Sequence, residues 1–179
     1  MKKTHLSLLI ATLLLTACPS GNQRDNLLKE LRQTEKEVFS RNFDVPLEKK
    51  QQLMDMYVGF VDIFPQDSLS PEFLFSCATV ASASQQELYS ITLYQRIYND
   101  YPDHALRPVA LMYWALTYDN MGDVERAKPL YEQFLVMFPD SPFVTDVENL
   151  LEMVDKSPEE WILKMMELEE KQSPEERTF

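Results

Sequence analysis

The chain has 179 residues, 45% of them apolar, enough for one domain with a sizeable core. Its 17 Lys and Arg stand against 29 Asp and Glu, a net charge of -12 at pH 7, with 2 His and 2 Cys. No basic face is available to release counterions from a phosphate backbone, which excludes nucleic-acid binding, and an acidic surface disfavours spreading over anionic lipid.

The start does not read as part of a fold. Met1-Lys2-Lys3 is short and basic, and Leu6 to Leu15 is almost wholly apolar. That is the pattern of a cleaved signal peptide over 1–17, too short and wrongly flanked for a stable membrane span. It runs into Leu15-Thr16-Ala17-Cys18, which resembles a bacterial lipobox. The resemblance implies cleavage before Cys18, lipidation of Cys18, and stable attachment through several acyl chains. Pro19 stands where inner-membrane retention signals carry aspartate, which implies an outer-membrane anchor facing the periplasm. Residues 18–24 then form a short tether, and Cys77 is left without a partner for an internal disulfide.

A helical repeat domain is predicted over 25–168. Its first helix spans 25–39, with Leu27, Leu28, Leu31, Thr34 or Glu35, and Val38 as an apolar stripe. Asn42 to Pro46 breaks it, with Pro46 suited to a first helical turn. A second helix over 47–64 buries Leu53, Met56, Tyr57, Phe60, Val61 and Phe64, and Pro65 stops it. Helices over 71–83 and 86–101 follow, then 108–121 and 124–138, the last two joined by Gly122-Asp123 as left-handed stop and cap. A weaker unit starts at Phe143. Ser157-Pro158-Glu159-Glu160 reads as a capping box opening a last helix to about 168. The acidic end, 169–179, reads as a frayed tail.

Pro65, Pro102 and Pro139 are 37 residues apart, and Tyr57, Tyr94 and Tyr131 keep the same step. A fixed period of this size in helix-forming sequence indicates stacked helical hairpins. Leu111, Trp114, Ala115, Tyr118, Gly122, Ala127, Tyr131, Phe134 and Pro139 resemble the packing, turn and stop positions of a tetratricopeptide repeat. Thirty-seven residues earlier, Ala81, Gln85 and Ser90 depart from that pattern. The resemblance covers roughly 50–142 and implies an all-α tetratricopeptide-like solenoid of about three to four hairpins. The aromatic-Pro ends are similar to repeats of exported assembly proteins. These include the lipoprotein-subunit family of the outer-membrane barrel-assembly machine and the periplasmic partner family of the Tol–Pal system.

No catalytic constellation is visible. His104 is a lone loop histidine, Cys77 falls on an inner helix face, and the acidic pairs such as Glu159-Glu160 are adjacent and diverge around a helix. No transition-metal cluster, calcium-loop spacing or phosphate-cradling glycine loop occurs, so neither metal nor cofactor is expected. The varying positions on first helices, Arg107, Tyr113 and Asn120, are the candidate partner-binding residues, with Tyr89, Tyr98 and Tyr118 as further groove aromatics. The reading is a non-enzymatic, membrane-anchored scaffold of the cell envelope, binding a protein or peptide. It would serve outer-membrane protein assembly or envelope organisation. Glycan or substrate capture through an exposed coplanar aromatic row is the alternative. Homo-oligomerisation is another, and so is a partner helix on the ends, at Leu27, Leu31 and Val38 or at Trp161 and Met165.

Overall fold

The computed structural model describes residues 21–157 with 159–160, 162–163 and 166–167. The leader 1–17, Cys18, the tail 169–179, Trp161 and Met165 lie outside the described residues. The described chain is an all-α helical-hairpin solenoid. Its helices are α1 (Gly21–Phe39), α2 (Leu47–Ile63), α3 (Ser70–Ser82), α4 (Glu87–Asp100), α5 (Leu106–Asn120), α6 (Val124–Met137) and α7 (Val144–Met153). Each packs on the next in sequence, and α3 also touches α5. Three hairpins, α1/α2, α3/α4 and α5/α6, are complete, and α7 opens a fourth.

The second helices end at Ile63, Asp100 and Met137, one before each aromatic-Pro pair. Proline cannot continue them, and the residue before it is pushed out of helical geometry. The repeated tyrosine, by contrast, ties the two helices of each hairpin together. Tyr57 donates its hydroxyl to Glu35 at 2.8 Å, Tyr94 lies against Ser82, and Tyr131 donates to Asp119 at 3.1 Å. Burial first, and these partners second, push Tyr57 and Tyr131 well above the usual phenol range.

Small residues mark the closest packing. Ala78, Ala81, Ala115 and Ala127 are fully buried among Tyr57, Tyr94, Tyr131 and Phe134. The core forms two clusters, one over α1 to α4 and one from Ile91 of α4 to Val154 beyond α7. Trp114 packs against both, and its buried indole Nε1 has no hydrogen-bond partner.

Several expectations are corrected. α1 is already formed at Gly21, the first described residue, rather than starting at Asp25, so residues 21–24 of the predicted tether are helical. The cause is tertiary: Arg24 makes a forked contact with Asp67 in the turn after α2, its NH2 at 3.2 Å from Oδ1. Pro46 stands one residue before the helix, at its N-cap, rather than inside the first turn. Met54, absent from the expected stripe, is fully buried, whereas Met56 is only half-buried. Leu31 and Val38 are buried and present nothing to a partner. α5 starts at Leu106, two residues early, so Pro108 still falls in a first turn whose N–H groups need no helical acceptor. The capping box forms as expected: Glu160 accepts from Ser157 N at 2.8 Å, and Ser157 Oγ accepts from Glu160 N at 3.2 Å.

The forked Arg24–Asp67 pair makes a pH prediction. The Arg24 hydrogen bond, aided by the Leu69 N–H, holds the Asp67 carboxyl below the usual carboxylate range. A folded pKa below the unfolded value of about 3.9 gives stability that is present above that pH and lost as pH falls through the folded pKa. Asp67→Asn should therefore melt below the native protein at pH 7, and the two melting curves should converge at about pH 2 to 3. Thermal scans across that range check it.

The turn between α3 and α4 makes another. Gln85 has φ 58°, and its counterpart 37 residues on is Gly122 at φ 74°. A left-handed residue with a Cβ is strained, which glycine relieves at some cost in unfolded-chain entropy. Gln85→Gly should gain about 0.5–1 kcal/mol, and Gly122→Ala should lose about 1 kcal/mol. Nothing lies within 4 Å of a Cβ at Gly122, so backbone strain alone sets that loss. Denaturant midpoints measure both.

Candidate protein-binding face

The three residues singled out on α5 do not form one cluster. At about 1.5 Å per residue, Arg107 and Asn120 lie roughly 20 Å apart along the helix. Tyr113 and Asn120, seven residues apart, share one helix face, while Arg107 points to another side.

Arg107 is occupied by the fold itself. Its guanidinium lies over the Tyr98 ring at 4.7 Å and near the Phe138 ring at 5.8 Å. Its Nε donates to the Tyr98 carbonyl at 3.2 Å and NH1 to the Pro102 carbonyl at 3.4 Å. It fastens the start of α5 to the ends of α4 and α6. The other tyrosines are taken up similarly. Tyr118 is buried beneath Arg126, whose guanidinium lies 4.3 Å from the ring centre. Tyr98 accepts from Gln133 at 2.8 Å, and Tyr89 is half-buried against Cys77.

Tyr113 does reach solvent, with 37% of its surface exposed. It closes an aromatic trio with Phe75 of α3 at 5.4 Å and Tyr94 of α4 at 5.8 Å, and Phe75 lies 5.7 Å from Tyr94. The Phe75 and Tyr113 rings are perpendicular, so the trio is no flat platform for a sugar ring. From Tyr113 the face continues over half-buried Leu116 to exposed Asn120. There a cavity of about 360 Å³ opens between α5 and α7, lined by Leu116, Asp119, Asn120, Leu150 and Lys156 among others. Burial raises the Asp119 carboxyl above its ordinary range, against the opposing pull of the Tyr131 hydroxyl. Within about 10 Å along one helix face the protein thus offers an aromatic edge and an amide, and the Asp119 carboxylate stands beside the amide in the cavity. Those groups suit an extended peptide, with an apolar side chain on Tyr113 and backbone hydrogen bonds to Asn120.

The remaining candidates are structural. Cys77 is fully buried, 3.7 Å from the Met54 carbonyl, and burial pushes its thiol up to about 12. It stays protonated and unreactive at neutral pH. His104 Nδ1 accepts from the Leu106 N–H at 3.2 Å and so caps the start of α5. Among the described residues no three His, Cys, Asp or Glu side chains converge as a metal site, and no helix is long and apolar enough to cross a membrane.

Residues 109–141, from α5 through the turn after α6, match the tetratricopeptide repeat family. The chain therefore carries a tetratricopeptide repeat, a unit that typically mediates protein–protein interaction and is generally non-catalytic. No curated protein matches the chain.

Proposed function

We propose that this protein is a lipid-anchored interaction scaffold of the bacterial cell envelope, holding a protein or extended peptide on the face formed by Tyr113, Leu116 and Asn120. The observation that carries the reading is Tyr113. It is the most exposed of the four tyrosines weighed, and it stands in line with an exposed amide on the same helix. The sequence supports the anchor: Cys18 closes a lipobox-like stretch and Pro19 follows it, so the protein would sit at the outer membrane, facing the periplasm. There it would assist outer-membrane protein assembly or envelope organisation. Its acidic balance favours a basic partner and speeds encounter more than it sets affinity.

The test places a photo-crosslinking amino acid at position 113 or 120 in intact cells and identifies the adducts by mass spectrometry. One recurrent envelope protein, captured from both positions and lost from a probe on the opposite side of α6, is the expected result. A bound glycan with no protein adduct would overturn the scaffold reading. Cys18→Ser should move the protein from the membrane to the soluble fraction; undiminished membrane retention would reject the anchor.

A further inference from the structure

A wider groove lies elsewhere, between α1 and α2, with a volume of about 720 Å³. It follows α2 from Leu47 to Ile63, a run of about 24 Å. Leu27, Leu47, Met56, Gly59, Phe60 and Ile63 make its apolar part. Leu47 is 57% exposed and Ile63 39%, unusual for large apolar side chains on one groove. The charged residues lining it are Glu30, Glu48 and Asp55, all acidic.

The repeat register shows what this groove corresponds to. In each later hairpin side chains on the same face of the second helix reach the preceding second helix. Arg96 of α4 donates to Asp62 of α2 at 2.8 Å, and Tyr101 donates to the Pro65 carbonyl at 3.0 Å. Thirty-seven residues on from Arg96, Gln133 of α6 donates to the Tyr98 hydroxyl of α4 at 2.8 Å. The counterpart in α2 is Gly59, and nothing lies within 4 Å of where its Cβ would stand. Where later helices use a long polar side chain to reach a preceding helix, the first has a glycine that leaves room for one. Among the described residues no helix lies over this face.

We propose that the α1–α2 groove is a docking slot for a basic amphipathic helix of a partner protein, which would stack on the first hairpin as α2 stacks beneath α4. Apolar anchors of that helix would lie over Met56, Gly59 and Phe60, with lysines or arginines beside Glu30, Glu48 and Asp55. The acidic rim also selects against a second copy of this chain, because two such rims would face each other across the interface. This surface is separate from the Tyr113 face, so either reading stands or falls without the other.

The probe is a fluorescein-labelled helical peptide of α2's length with leucine on one stripe and lysine on both flanks, titrated into the full-length protein. Saturable binding that weakens with salt is expected, as is a much weaker signal for the same peptide with glutamate in place of lysine. Gly59→Phe puts a Cβ where nothing lies within 4 Å, directs its ring into the groove and replaces a poor helix former, so the fold should hold while binding falls at least tenfold. Asp55→Lys should weaken binding several-fold, and Glu125→Lys on α6, the same charge change far from the groove, should leave it unchanged. Equal losses from both lysine variants, an unaffected Gly59→Phe, or no saturable binding would overturn the proposal. Self-association in sedimentation runs that Gly59→Phe abolishes would assign the groove to a second copy and overturn it too.

Discussion

Phe73→Ala should lower the unfolding free energy by about 3–5 kcal/mol. The side chain is 1% exposed and touches two other helices. Its ring meets Phe60 edge-on at 4.9 Å and Tyr57 at 5.5 Å, and the Arg32 guanidinium of α1 lies 5.1 Å from its centre. Truncation loses the transferred area, leaves a cavity among rigid rings, and forfeits aromatic pairs of about 0.5–1.5 kcal/mol each. Phe73→Leu keeps most of the volume and should cost well under half as much. Urea titrations give both values. Hydrogen exchange adds a second readout. In a stack, each unit depends on its neighbours, so amides of α1 to α3 should lose protection first while α5 and α6 keep theirs. Uniform loss across the chain would mean that the two clusters unfold as one.

Tyr131→Ala should be as damaging, again by about 3–5 kcal/mol, because the ring is fully buried between α5, α6 and α7. Tyr131→Phe separates the hydroxyl from the ring. It should cost about 1 kcal/mol at neutral pH, where the Asp119 carboxyl loses its donor. The Tyr131 hydrogen bond pulls the Asp119 pKa down, while burial raises it above its unfolded value. The folded state therefore holds that proton more tightly, and stability from Asp119 is present below about pH 4 and lost as pH rises through the folded pKa. Removing the hydroxyl deepens that loss. The gap between native and Tyr131→Phe melting temperatures should be wide at pH 7 and narrow near pH 3.

The solenoid was legible because its signals are local and repeated. Pro65, Pro102 and Pro139 stop helices wherever they occur in the stack, and Asp123 caps α6 through the Arg126 N–H at 3.2 Å as its position foretells. Signals that depend on distant partners were not legible. Arg24 extends α1 by contact with a residue 43 positions away, which no local pattern encodes. Arg107 read as a variable residue on a binding helix, yet its partners Tyr98 and Phe138 come from two other helices. Pro129 lies inside α6, where proline ordinarily breaks a helix. It and Glu125, whose carbonyl loses its helical donor, are both exposed, so water can take that bond. Tyr113 and Asn120 share a face by spacing alone, whereas the aromatic trio around Tyr113 required the α3–α5 approach. The groove on α2 was hidden for a related reason: only the register of Arg96 and Gln133 shows that the Gly59 face is one that later helices use to reach a neighbour.

On the anchor proposed above, the Arg24–Asp67 contact would also set how the molecule hangs. It pins the beginning of α1 beside the turn after α2, and the hydrogen bond from Tyr101 to Pro65 aligns the next proline turn with it. Cys18 precedes Gly21 by three residues, a reach of at most about 10 Å. A lipid at that position would act as a short leash on one rim. The row of proline turns would face the bilayer, and the opposite rim, with Gln85 and Gly122, would face the open compartment. With so little slack, the stack would stand on the membrane in one posture, and a partner would meet it from the side rather than from above.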